Sequence, residues 1–157
     1  MFSVRPDFSL QSTRTSLRIY ASMNNVKGRF HHIDLTVTNL KASTRFYDFC
    51  LTEMGFKRIG DVQEGPLWAG DGLEIGLQAA RVHERHNRYS PGLHHLAFWA
   101  GSGEAVDELY LKLLERGVEI LDAPALYEKY APGYYALFFA DPDGIKLEYV
   151  YTPQWPV

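Results

Sequence analysis

The residues best placed to do chemistry are two histidine pairs and one acid. His31-His32 opens the run from Arg29 to Val37, and His94-His95 opens a similar run from Gly92 to Ala100, 63 residues later. Each pair leads an alternating series of β-branched and aromatic residues, the pattern of a strand. Neighbouring side chains on a strand point to opposite faces, so His32, Asp34 and Thr36 share one face while Ile33, Leu35 and Val37 share the other. Likewise His95, Ala97 and Trp99 oppose Leu96, Phe98 and Ala100. The apolar sets should pack on helices, sending His32 and His95 to the open face; His31 and His94 should point the other way, near the strand ends. The acid is Glu148, in a run where Ile145, Leu147 and Tyr149 alternate with Lys146, Glu148 and Val150. A carboxylate facing a pocket between apolar neighbours is costly without a partner cation. Two imidazoles and a carboxylate on three strands of a concave sheet would make a facial metal site. Such a donor set suits Fe(II), Mn(II), Zn(II) or Ni(II) and leaves positions open for water and substrate. Taken singly, a strand histidine is more often a hydrogen-bonded core or surface residue.

The elements that must position these groups come in two similar sets. After the first strand, Asn39 is a candidate N-cap, Phe46, Tyr47, Cys50 and Met54 recur at helical spacing, and Gly55 is a stop. Phe56–Gly60, Pro66–Gly70 and Leu73–Gln78 read as strands, the last entered through the Asp71-Gly72 turn. In the second set Ser102 caps a helix whose apolar stripe is Val106, Leu109, Tyr110, Leu113 and Leu114, with Gly117 as the stop. Val118–Leu121, Tyr134–Ala140 and Ile145–Tyr151 read as strands, separated by a loop from Asp122 to Gly133 and by the Asp141-Pro-Asp-Gly144 turn. The expected architecture is therefore α+β: two tandem βαβββ modules, about 28–90 and 91–151, forming a concave, barrel-like mixed sheet flanked by helices.

A chain of 157 residues with a net charge of −3 fits one domain with a substantial core and gives no electrostatic case for nucleic acid. No apolar run approaches the ~18 residues that suggest a membrane span. The single cysteine, Cys50, excludes an intrachain disulfide and a thiolate cluster, and the cytoplasm is the default compartment. Residues 1–27 stand apart: Arg5, Arg14, Arg18 and Lys27 against Asp7 make them +3 and leave the remainder at −6. This basic, Ser/Thr-rich segment reads as an arm ahead of the 28–157 domain, with organelle targeting as the alternative.

In these motifs the chain resembles the vicinal oxygen chelate superfamily, which includes glyoxalase I, fosfomycin-resistance enzymes, methylmalonyl-CoA epimerase, ring-cleaving dioxygenases and bleomycin-resistance proteins. The resemblance rests on His32-Ile-Asp-Leu-Thr-Val, the helix with Phe46-Tyr47, His95-Leu-Ala-Phe and Asp141-Pro-Asp-Gly-Ile-Lys-Leu-Glu148, which together span residues 30–151. It implies His32, His95 and Glu148 as ligands of one divalent ion per site, Zn, Fe, Mn or Ni. A glyoxalase-type lyase or isomerase acting on a small oxygenated metabolite is the leading expectation. A ring-cleaving dioxygenase, a drug-binding resistance protein and a fosfomycin-type thiol transferase are the alternatives. Dioxygenases of the family typically place a tyrosine on the strand before the Asp-Pro turn, where this chain has Phe138 and Phe139. The family also pairs modules, within one chain or between two, and a homodimer with shared sites is expected.

The fourth ligand has two readings. Aligning Leu73-Glu74-Ile75 with Leu147-Glu148-Tyr149 nominates Glu74, as ligand or as general base. Aligning Asp71-Gly72 with Asp143-Gly144 puts Gly76 opposite Glu148 and leaves the position empty; Gln78 is a weaker candidate. Of Tyr127, Tyr130, Tyr134 and Tyr135, alternation sends only one of the adjacent pair inward; Tyr130 and Tyr135, with Gln78, are taken as pocket-lining residues. His83-Glu-Arg-His86 lies in a polar loop and reads as exposed. Cys50, on its helix's apolar stripe, should be buried and inert.

Overall fold

A computed structural model describes residues 28–62 and 65–154; the arm expected over residues 1–27 lies outside them. The compact unit Phe30–Trp155 carries every described element. In chain order these are β1 (His32–Val37), α1 (Leu40–Glu53), β2 (Lys57–Val62), β3 (Gly65–Gly70), β4 (Leu73–Ala79), β5 (Leu96–Trp99), α2 (Gly103–Glu115), β6 (Ile120–Leu126), β7 (Tyr135–Ala140) and β8 (Lys146–Tyr151). Among the described residues no helix is long and apolar enough to cross a membrane.

Local chemistry accounts for the boundaries. The Asn39 side chain accepts from the Ala42 amide at 3.0 Å and Ser102 Oγ from the Ala105 amide at 3.2 Å, so each helix starts on a capping oxygen. Both stop at a glycine in the left-handed region, Gly55 at φ 89° and Gly117 at φ 64°. Asp71 and Gly72 both take positive φ, 48° and 74°, the pair of angles that a two-residue turn between β3 and β4 requires. The expected loop after Leu121 is instead a continuation of β6 to Leu126. β6 is an outer strand whose ladder to β7 shifts register twice, and an edge position tolerates both the shifts and Pro124.

The two βαβββ modules are present, each as its own four-stranded sheet, in the orders β1-β4-β3-β2 and β5-β8-β7-β6. The expected barrel is not closed: among the described residues β1 and β5 each have a hydrogen-bonded neighbour on one side only. In each sheet the first strand runs parallel to the fourth of its module and the remaining pairs are antiparallel.

The core lies between the sheets' apolar faces and the helices. α1 covers β2, β3 and β4, and α2 covers β6, β7 and β8. One cluster runs through both modules, from Leu35, Val37, Tyr47, Trp68 and Ile75 to Phe98, Leu113, Phe139 and Leu147. Cys50 is buried in it, 1% exposed, and loss of solvent pushes its thiol pKa up, consistent with an inert residue. Leu114 departs from the expected stripe and is 47% exposed, because the helix buries only the face of Val106, Leu109 and Leu113.

The Asp141-Pro-Asp-Gly144 turn ties the modules together. Asp141, 3% exposed, accepts from the amides of Asp143 (2.9 Å) and Ile145 (2.7 Å) and from the Tyr47 hydroxyl on α1 (3.0 Å). Asp143 in turn accepts from the Thr38 amide at 3.0 Å and from the Thr38 hydroxyl. Burial dominates the shift of Asp141 and raises its pKa, outweighing these three donors.

Candidate metal centre

The open face of the first sheet carries His32, Asp34 and Thr36 on β1, opposite Glu74, Gly76 and Gln78 on β4 in direct register. These residues, except Thr36, line a cleft of about 310 Å³ together with His31, Pro66 and Leu67. Alternation delivers this set: Leu35 and Val37, the intervening residues, are buried on the core side.

The open face of the second sheet carries Glu148. Its side chain is 3% exposed, with Phe138 as its cross-strand partner and Tyr134 and His95 against its oxygens. Its two oxygens have different partners. Oε1 accepts from the Tyr134 hydroxyl at 2.5 Å, and Oε2 faces His95 Nε2 at 3.1 Å. Burial, then the Glu148 hydrogen bond, push the Tyr134 pKa well above the ordinary phenol range, so Tyr134 donates at any working pH.

Each candidate ligand histidine, His32 and His95, stands in contact with the histidine before it. Nδ1 of His94 lies 2.7 Å from Nδ1 of His95, and Nδ1 of His31 lies 3.1 Å from Nδ1 of His32. One Nδ1 of each pair must carry the proton, and the contact leaves Nε2 of His32 and His95 for another partner. If His95 is protonated at Nδ1, its Nε2 lone pair confronts the Glu148 carboxylate, an arrangement that a cation between them stabilises. If Nε2 carries the proton, it donates to Glu148. Desolvation, and then the neighbouring His95, Lys146 and Arg88, lower the His94 pKa.

These donors do not assemble within one chain: among the described residues no three His, Cys, Asp or Glu side chains gather closely enough to hold a metal. The pieces form two halves, His95 with Glu148 on the second module and His32 with its carboxylate neighbours on the first. The donor chemistry of each half fits a divalent ion of the imidazole-and-carboxylate class.

Several expectations change in detail. Tyr135 is not on the site face; it lies on the helix side of β7 and donates to Asp107 on α2 at 2.7 Å. Alternation selects Tyr134 instead. Tyr130, 60% exposed, stands edge-on to Tyr134 at 5.3 Å between ring centres and so reaches the site's margin. His95 precedes β5 rather than opening it. His86 Nε2 contacts the Leu93 carbonyl at 2.9 Å, and Arg85 pairs with Glu119 at 2.7 Å, so the loop after β4 is tied down. His31 and His94, expected to point away from His32 and His95, instead bring their rings against them, with His31 in the same cleft as His32; these contacts and the role of Tyr134 were missed in the sequence. The signal for the two histidine contacts was the doublet itself, repeated in both modules.

Pairing register separates the two alignments of the fourth position. β1 and β4 pair His32 with Glu74 and Asp34 with Gly76, whereas β5 and β8 pair Ala97 with Glu148. With His32 matched to His95, Asp34 matches Ala97 and Gly76 matches Glu148. Glu74 sits one same-face position away, directly across from His32.

Comparison with known proteins bears on what this site belongs to. The family profile described as Glyoxalase/Bleomycin resistance protein/Dioxygenase superfamily matches residues 29–149. The uncharacterized protein YqjT of Bacillus subtilis (strain 168) is 36% identical over 123 residues, covering 76% of this chain and 96% of that protein. A crystal structure from Bacillus halodurans, named as a candidate glyoxalase, is 34% identical, with a TM-score of 0.70 over 80% of this chain and 97% of that one. Lactoylglutathione lyase from Agrobacterium tumefaciens, at 16% identity and a TM-score of 0.62 over 85% of this chain and 99% of that one, shares the fold.

Proposed function

Because this chain belongs to the glyoxalase/bleomycin resistance protein/dioxygenase superfamily, we propose that it is a metal-dependent enzyme of the glyoxalase type. It would perform lyase or isomerase chemistry on a small oxygenated metabolite, with His32, His95 and Glu148 holding one Zn, Fe, Mn or Ni ion. The observation that carries this reading is the buried Glu148 carboxylate, with one oxygen on Tyr134 and the other 3.1 Å from a histidine nitrogen. A divalent ion bound there supplies Lewis acidity toward adjacent oxygens of a substrate.

The chain's own residues supply the rest. His94 and His31 orient the ligand imidazoles, and Tyr134 fixes the Glu148 carboxylate. Glu74, in the cleft across from His32, serves as the general base that removes a substrate proton. Gln78 lines the first-module cleft, and Tyr130 stands against Tyr134 at the margin of the Glu148 site. Phe138 stands opposite Glu148, so the cross-strand neighbour of the carboxylate has no phenol. This weighs against ring cleavage, and a buried carboxylate aligned with a histidine weighs against a drug-binding module.

A site in two halves calls for a second copy, the first module of one chain facing the second module of another around a twofold axis. The free borders of β1 and β5 suit such a pairing. Elemental analysis of protein purified without added metal should find about one divalent ion per chain, absent from His95→Ala. Mixing inactive His32→Ala with inactive Glu148→Ala protein under subunit exchange should restore activity, because one of the two shared sites regains all three ligands. No recovery despite demonstrated exchange would overturn the shared centre. Full metal occupancy in His95→Ala would overturn the ligand assignment. Oxygen uptake with catechols would replace the glyoxalase reading with ring cleavage.

A further inference from the structure

The two modules carry the same two positions with their residue types exchanged. In the second module the edge strand has a small residue, Ala97, and the inner strand opposite it has the acid, Glu148. In the first module the edge strand has the acid, Asp34, and the inner strand opposite it has no side chain at all, Gly76. Gly76 is not among the glycines with positive φ, so backbone conformation does not explain it. Space does. A β-carbon built on Gly76 would collide with Asp34 Oδ1. The Asp34 carboxylate therefore leans across the strand pair and lies over Gly76, in the ground that the Glu148 side chain crosses in the other module.

Its surroundings match that position. Asp34 lines the cleft with His32, Glu74 and Gln78. Among the described residues no hydrogen-bond donor or cation is paired with it, in contrast to the carboxylates of Asp48, Asp141, Asp143 and Glu148. An acid one same-face position beyond a ligand histidine, with a glycine cleared beneath it, has the reach and the free lone pairs of a ligand.

The geometry points to Asp34 as the carboxylate that the first module contributes to the metal centre, in the place left open by Gly76. This rests on the metal-centre reading above. Glu74, across from His32, is then left free for proton transfer, which separates the ligand and base roles that a single first-module glutamate would otherwise have to combine.

The test is Zn²⁺ affinity of the full chain, measured by competition with a chromophoric chelator, with thermal unfolding as a check on folding. Asp34→Asn should weaken Zn²⁺ binding at least tenfold, while Glu74→Gln stays within about twofold of the parent. The double variant Asp34→Ala/Gly76→Glu, which copies the arrangement of the second module, should recover most of the affinity. Rescue of this kind is not expected of a residue that only supports the fold. Zn²⁺ affinity unchanged in Asp34→Asn, with binding still abolished by His95→Ala, would overturn the role of Asp34 and leave the centre standing. A parent chain with no stoichiometric Zn²⁺ binding would overturn both.

Discussion

Tyr134→Phe isolates one hydrogen bond at the heart of the site. The substitution deletes only the hydroxyl that donates to Glu148 Oε1 at 2.5 Å and keeps the ring that packs 5.3 Å from Tyr130. No cavity larger than one oxygen is created, so the cost is that of leaving a buried carboxylate oxygen without its donor. A hydrogen bond to a charged group contributes about 1.5–3 kcal/mol net. For a chain of this size each kcal/mol moves the melting temperature by roughly 2–4 °C, so metal-free protein should melt roughly 3–12 °C lower. The control is Tyr127→Phe. Tyr127 packs beside Phe138 at 5.4 Å, but its hydroxyl makes no hydrogen bond among the described residues. Its loss should stay within about 0.5 kcal/mol. Differential scanning calorimetry of both metal-free variants decides the matter. Equal melting temperatures for parent and Tyr134→Phe would refute the argument, because the Tyr134 hydroxyl would then be dispensable to a carboxylate with only one other partner.

Two further outcomes follow from the same geometry. Glu74→Gln should lower turnover 100-fold or more while leaving metal content unchanged, as read by steady-state kinetics and elemental analysis on one sample; general-base groups contribute about 10²–10⁴-fold. Asp141, whose pKa is raised by burial, holds its proton to higher pH in the folded chain than in the unfolded one. Its contribution to stability is fully present below the unfolded carboxylate range near ~3.9 and is lost as pH rises through the folded value. Asp141→Asn removes this titration, so the difference in urea-unfolding free energy between parent and variant should shift against the parent as pH rises from about 4; a pH-independent difference would refute it.

Much of the fold was legible because its signals are local and repeated. Asn39, Ser102, Gly55 and Gly117 mark both helices by capping chemistry, and period-two alternation assigned both faces of β1, β4 and β8 correctly. β6 was cut short because Pro124 and its register shifts erase alternation, and only its edge position lets pairing continue. The two alignments around Glu74 and Gly76 keep the same face, so alternation could not choose between them. The choice needed the interstrand register, which sequence does not display. Tyr134 and Tyr135 show the same limit: one of the two had to face the site, and Asp107 on α2, which holds Tyr135, is close only in three dimensions. The division of the donors was legible, with His32 in the first module and His95 and Glu148 in the second; whether the modules close on each other or on a second copy is not fixed by spacing, since both geometries use the same residues.

The four borders of the two sheets are treated unequally, and that has a consequence for handling the protein. β2 and β6 discourage chance pairing: β2 has a register shift near Gly60 and a row of Lys57, Arg58 and Asp61, and β6 has its irregular ladder and Pro124. β1 and β5 have no proline, and their ladders to β4 and β8 run without a register shift. β5 also ends in Trp99, 51% exposed. Among the described residues the guarded border of each sheet is thus the one away from the histidines, and the bare one begins at His32 or just after His95. Under the proposed pairing of copies, a substitution that keeps them apart would leave the two bare borders as templates for any extended strand, so precipitation on concentration should accompany it unless a proline or a lysine is placed on β1 in the same step.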